Sequence, residues 1–330
     1  MLGLIRVRQS RAHDAEALFQ QSIAAAPQQA GARLNLGILY IDAGRLEEAA
    51  VQFEAALRIA PGNRETAAHL VTALRGLAAA AITGDPEKAL SHLVRARALV
   101  PTNPDVLFEF AMAALRLTLH EDAIPALVKA LEHRPNEPKF LYALARARMA
   151  LGDLMEAERL FKQYTTLRPE DPTGHYGLGY VLAGQKRSAE ARVGFERSLA
   201  LRPEQTESNY HLGLLDLADG KLDDAATRFE IVLARFADHT GALVGLGQVY
   251  FSRKQFDQAR KSLERAVALD PALVKAHYQL GLTAARQGDQ ETFRRELELA
   301  AKLEQEQKQN RRTVLRLLES PLGGQTPQKP

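Results

Sequence analysis

Histidine is the residue type most able to do chemistry in this sequence, and there are nine. They stand singly. No pair has the i, i+4 spacing, with an acidic partner on the same helix, that a helical zinc site needs. Gly177-x-Gly179 and Gly245-x-Gly247 have the outline of phosphate loops. Both fall inside stretches of helical periodicity with no strand before them, so the geometry that aims backbone N–H groups at a phosphate is missing. The sequence contains no cysteine, which removes disulfides, thiolate metal sites and thiol nucleophiles together. Asp and Glu are abundant but read as solvated charge on helix faces, with no nucleophile, base and orienting group brought together. The expectation is a chain that is not an enzyme and carries no cofactor and no metal. His175, His211 and His277 come closest to a candidate surface, and packing or solvent contact explains them better than ligation.

The composition is that of an ordinary globular protein: 46% apolar and 25% charged residues over 330 positions. A formal net charge of +3 is small for this length and gives no argument for nucleic acid or an anionic membrane. No apolar run approaches the roughly 18 residues that span a bilayer. Met1-Leu2-Gly3-Leu4-Ile5-Arg6 is too short an apolar run for a signal-peptide core.

The prolines set the frame that must position any site. Pro27 and Pro61 are 34 residues apart; Pro101, Pro135, Pro169 and Pro203 follow at 34, and Pro271 lies 68 beyond Pro203. The step from Pro61 to Pro101 is 40, so one unit carries six extra residues. Counting back from each proline by twelve, eight and five gives a recurring triplet, small and large followed most often by small: Ala49, Phe53 and Ala56; Ala157, Phe161 and Tyr164; Ala191, Phe195 and Ser198. Ala237 stands where a proline is due, with Ala225, Phe229 and Val232 before it. Small, large, small at i, i+4 and i+7 share one helix face, where small residues admit a neighbouring helix and the large one fills the space between. The proline ends that helix.

A second helix precedes each of these. It carries Leu36-Gly37, Leu178-Gly179, Leu212-Gly213, Leu246-Gly247 or Leu280-Gly281, with Ala111 and Ala145 in place of Gly in two units. Glycine inside a helix costs about 1 kcal/mol against Ala, so its recurrence in register points to relief of a clash where helices cross. Gly44, Gly152, Gly220 and Gly288 lie between the paired helices and are suited to the left-handed residue that closes a helix.

These residues resemble the tetratricopeptide-repeat family, whose 34-residue pattern is Leu-Gly, then Tyr, then Ala-x3-Phe-x2-Ala, then Pro. The resemblance covers about nine-tenths of the chain. It places repeats at 30–63, 64–103, 104–137, 138–171, 172–205, 206–239, 240–273 and 274–306, with a partial one at 1–29. It implies an all-α, right-handed superhelical solenoid of about nine helix–turn–helix units with a C-terminal capping helix at 307–319; the Pro/Gly/Gln-rich 320–330 is expected to be disordered. The partial first repeat makes an upstream start, or a place within a larger protein, the expected reading. The extra residues fall in 64–103, where the first helix is expected to run from about Arg64 to Ile82 and Asp85 to cap a helix beginning at Pro86.

In this family the first helix of each unit lines the concave face. Two positions before each Leu stand Leu34, Phe108, Tyr142, Tyr176, Tyr210, Val244 and Tyr278, with Tyr180 and Phe251 further along the same faces. Flat rings with a polar tip suit peptide contact, and they would serve equally to pack adjacent first helices. Arg116, Lys139 and Arg146, from adjacent units, should converge near Tyr142, and Lys275 and Arg286 flank Tyr278; such charges could hold an acidic segment or a terminal carboxylate. The Lys/Asn clamp of chaperone-binding relatives has no counterpart, nor has the Asn ladder of sugar-transferase relatives, since the position before each Leu holds Asn35, His69, Glu109, Ala143, Gly177, His211, Gly245 and Gln279. The expected function is a non-catalytic adaptor or assembly scaffold that binds a protein or peptide in this groove. The alternative is a binding or regulatory arm of a larger enzyme or envelope-associated protein. Nucleic acid is not expected, self-association through the incomplete first repeat is left open, and the default compartment is cytoplasmic, or the envelope if a leader precedes Met1.

Overall fold

The computed structural model describes Gly3 and residues 11–319, with side chains as far as residue 309. Most of the partial repeat's first helix and the 320–330 tail therefore lie outside the described residues. Two compact units divide the chain, Met1–Pro169 and Glu170–Pro330, and among the described residues both are wholly α-helical.

The first unit holds α1 (Ala12–Ala25), α2 (Ala30–Asp42), α3 (Leu46–Ile59), α4 (Arg64–Ala81), α5 (Pro86–Leu99), α6 (Pro104–Arg116), α7 (His120–His133), α8 (Pro138–Ala150) and α9 (Leu154–Leu167). The second holds α10 (Pro172–Gly184), α11 (Ser188–Leu201), α12 (Thr206–Ala218), α13 (Leu222–Arg235), α14 (Thr240–Ser252), α15 (Phe256–Leu269), α16 (Val274–Gln287) and α17 (Gln290–Glu319). Even-numbered helices are the first of each pair. Each packs chiefly on its own partner and then on the helix before it, and α12, α14 and α16 also touch in succession, as do α2 with α4 and α6 with α8. First helices of neighbouring repeats thus touch one another at these places in each unit.

The helix ends follow the local sequence. Pro104, Pro138 and Pro172 begin first helices, where a missing N–H costs nothing. Asn63, Asn103 and Asp171 cap the helices they precede by accepting backbone N–H bonds. Asp85 accepts from Lys88 N at 2.9 Å and Pro86 opens α5. The insertion lengthens α4 to 18 residues, against 13 in α6 and α8. Gly44, Gly152, Gly220 and Gly288 all have positive φ at the turn, as expected; Thr118, Lys186 and Lys254 occupy the matching turns with φ near 60°. The last helix runs unbroken from Gln290 to Glu319, so the stretch at 307–319 continues the final repeat's second helix instead of forming a separate one.

The small-large-small positions make the core. Ala49, Phe53, Ala123, Leu127, Ala157, Ala191, Phe195, Ala225, Phe229, Ala259 and Leu263 are all 0% exposed. The Leu-Gly glycine is explained by the large residue. A Cβ on Gly37 would lie 2.5 Å from Phe53 Cε1, on Gly213 2.8 Å from Phe229 Cε1, and on Gly247 2.7 Å from Leu263 Cγ. The missing methyl is the space the partner helix's side chain occupies. Since Ala225 and Ala259 admit the same close approach, Ala225→Leu and Ala259→Leu are each expected to destabilise by about 1–3 kcal/mol through overpacking. Chemical denaturation followed by circular dichroism reads this, and unchanged midpoints would contradict the packing described.

Candidate partner-binding face

In the first unit, α6 and α8 lie side by side and present successive turns to one opening. Phe108, Met112 and Arg116 are at i, i+4 and i+8 on α6; Lys139, Tyr142 and Arg146 form the corresponding row on α8. Together they line a cavity of about 660 Å³, within the usual size range for ligand sites. Its depth comes from small residues. Ala143, Ala147 and Ala150 recur at i, i+4 and i+7 on α8 and leave room that larger side chains would fill. Tyr164, from the second helix α9, closes the back; its ring centroid lies 5.4 Å from that of Tyr142. Phe108 packs at 5.1 Å, tilted by 33°, against the fully buried Phe140, so its position is set by the core. Met112, His120 and Tyr164 were not picked out as site residues in the sequence. Tyr164 occupies a position expected to hold a small packing residue, and nothing in its local pattern marks it as reaching the cavity.

Charge in this unit is largely internally balanced. Arg75 meets Glu109 through Nε at 2.8 Å. Asp105 accepts two bonds from Arg134 at 2.9 Å and lies 3.5 Å from Lys139 Nζ; the Arg134 guanidinium holds its carboxyl below the usual range. Lys139 also stands 5.3 Å over the rings of Phe108 and Phe140. Arg116 and Arg146 differ, because neither makes an ion pair with a described residue and both are exposed. Arg146 rests 5.9 Å above the Tyr142 ring.

In the second unit the aromatic residues form a cluster. Tyr176 lies 6.2 Å from Tyr180 and 5.9 Å from His211, and the His211 ring stacks on Phe195 at 5.2 Å and 9°. Burial among these rings pushes the His211 imidazole down to about 4. Tyr180 is open, at 40% exposed, and so is Tyr278 at 47%. Tyr210 is tucked in: its ring lies 4.9 Å from His239, and its hydroxyl lies 2.7 Å from where a Cβ on Gly241 would be. Burial raises its hydroxyl above the usual range. Phe251 packs edge-on against Phe256 at 5.7 Å. His277 is buried between α16 and α17, bonded to Glu296 at 2.6 Å and to the Pro271 carbonyl at 3.0 Å, which makes it a bracket holding the final pair together. Among the described residues no group of three or more His, Asp or Glu could hold a metal ion, and no helix is long and apolar enough to cross a membrane.

Two family models match the sequence, one described as tetratricopeptide repeat over residues 1–64 and 142–206, the other as TPR repeat over 247–288. The chain belongs to the tetratricopeptide-repeat family. Solved structures share its fold. A tetratricopeptide-repeat protein of Parabacteroides merdae superposes with a TM-score of 0.58 at 16% identity, over 71% of this chain and 93% of that one. The Cut9–Hcn1 hetero-tetramer of the APC/C gives 0.60 at 15% identity, over 89% of this chain and 57% of that one. MamA from Desulfovibrio magneticus RS-1 is 26% identical over 52% of this chain and 96% of that one, with a TM-score of 0.46. No curated protein matches the sequence significantly. As a tetratricopeptide-repeat protein the chain is a protein-interaction scaffold, a class whose members are generally not catalysts.

Proposed function

We propose that this tetratricopeptide-repeat chain is an adaptor that holds a segment of a partner protein against the first helices, using Phe108, Arg116, Lys139, Tyr142 and Arg146 in the first unit and Tyr176, Tyr180, Tyr210, Phe251 and Tyr278 in the second. The observation that carries this reading is the cavity between α6 and α8, where aromatic, flexible apolar and cationic side chains from neighbouring repeats line one opening. An opening of this kind offers apolar contact area with a few polar anchors, the composition that holds a peptide. Tyr180 and Tyr278 offer the same kind of contact in the second unit, and Tyr176 lies 6.2 Å from Tyr180.

The test is affinity capture from source-cell extract with the full chain and with two variants, Tyr142→Glu for the first unit and Tyr180→Glu for the second, each shown by circular dichroism to remain helical. Loss of the captured partner from at least one variant is the expected result. A partner retained equally by both would remove the first-helix face from consideration.

A further inference from the structure

The cavity between α6 and α8 holds two cations that pair with no acid among the described residues. Two acids of these helices are already held by other cations. Glu109 is held by Arg75, and Asp105 by Arg134 and Lys139. Arg116 and Arg146 come from adjacent repeats, line the same opening and have no acidic partner among the described residues. Beside them the lining is apolar and adaptable: Met112, Met149 and the Ala143–Ala147–Ala150 strip. Methionine adjusts its shape to varied apolar partners, whereas a guanidinium recognises a carboxylate bidentately and with defined geometry.

From this pairing we infer that the cavity takes a peptide segment in which a carboxylate stands next to a bulky apolar side chain, with Arg116 and Arg146 clamping the carboxylate and the alanine strip receiving the apolar group. The inference rests on the reading of the first helices as the partner-binding face and adds the chemistry of the ligand. The carboxylate can belong to an Asp or Glu side chain or to a chain terminus, and the two are separable by experiment. Lys139 steers the segment without bonding it, since its ammonium stays with Asp105. Arg146 lies 5.9 Å over the Tyr142 ring, which places its guanidinium beside the opening.

The experiment uses the full chain, immobilised, and a phage library displaying random dodecapeptides. Recovered peptides are synthesised with free and with amidated C-termini and titrated by fluorescence anisotropy. Three forms are compared with the native chain: Arg116→Glu/Arg146→Glu, Arg116→Lys/Arg146→Lys and Ala150→Trp, the last narrowing the cavity from an exposed position. The expected peptides carry Asp or Glu beside Leu, Ile, Phe or Met. They lose more than about tenfold in affinity with the double Glu variant, lose less with the double Lys variant, and lose binding with Ala150→Trp. Equal binding of the amidated and free-acid forms assigns the carboxylate to a side chain; binding of the free acid alone assigns it to the terminus. Peptides lost on Ala150→Trp yet indifferent to both arginine pairs would overturn the carboxylate clamp and leave the partner-binding face standing. Peptides indifferent to Ala150→Trp, or no enrichment at all, would count against that face in this unit as well.

Discussion

Phe229→Ala should destabilise the second unit by about 3–5 kcal/mol, the range for removing a fully buried aromatic side chain and leaving its cavity. The ring is 0% exposed and sits between two first helices. A Cβ on Gly213 would fall 2.8 Å from its Cε1, and one on Gly245 2.4 Å from its Cζ. One ring therefore fills the space of two missing methyl groups, from its own repeat and from the next, and its loss opens both seams together. Gly245→Ala should also destabilise, by overpacking instead of by a cavity, at about 1–3 kcal/mol. The two changes share a space, so Phe229→Leu combined with Gly245→Ala should cost less than the sum of the single changes. Long repeat arrays depart from two-state unfolding, which makes amide hydrogen exchange along α12 to α14 a better readout than one melting midpoint. A loss below about 1 kcal/mol for Phe229→Ala would mean the ring is not the wedge between these helices.

Acidification should weaken the second unit through His211. Its imidazole lies among Phe195, Tyr176, Tyr180 and Tyr210, and burial depresses it from 6.5 to about 4. The folded state therefore holds the ring neutral at a pH where the unfolded chain would take up a proton. Stability from this group is fully present above about 6.5 and is lost as pH falls from there towards 4, by at most about 3 kcal/mol. His211→Phe keeps the stacked ring and removes the proton. Its denaturation free energy should fall less steeply than that of the native chain between pH 6.5 and 4. Parallel curves for the two proteins across that interval would sink the assignment.

Local pattern was enough for much of this architecture. The proline spacing, the small-large-small triplets and the Leu-Gly pairs placed the helices, the turns and the lengthened α4, because each rests on backbone geometry and on neighbours within one or two helical turns. The turns show where such reasoning stops. Four carry the expected glycine, while Thr118, Lys186 and Lys254 adopt the same left-handed backbone without it. Packing of the paired helices imposes that conformation at a small cost that no residue type announces.

The face proposed to bind a partner was legible as a row of positions, and its chemistry was not. Tyr142, Tyr176, Tyr210 and Tyr278 stand at one register position, yet Tyr278 is open and Tyr210 is folded onto His239 and Gly241. Arg116, Lys139 and Arg146 read as one basic group, yet Lys139 lies 3.5 Å from Asp105 while the two arginines have no acidic partner among the described residues. Helix and repeat follow from short-range periodicity, which the sequence carries in full. Exposure and charge pairing depend on the volume and reach of side chains a whole repeat away, and these are settled only when neighbouring repeats pack within each unit.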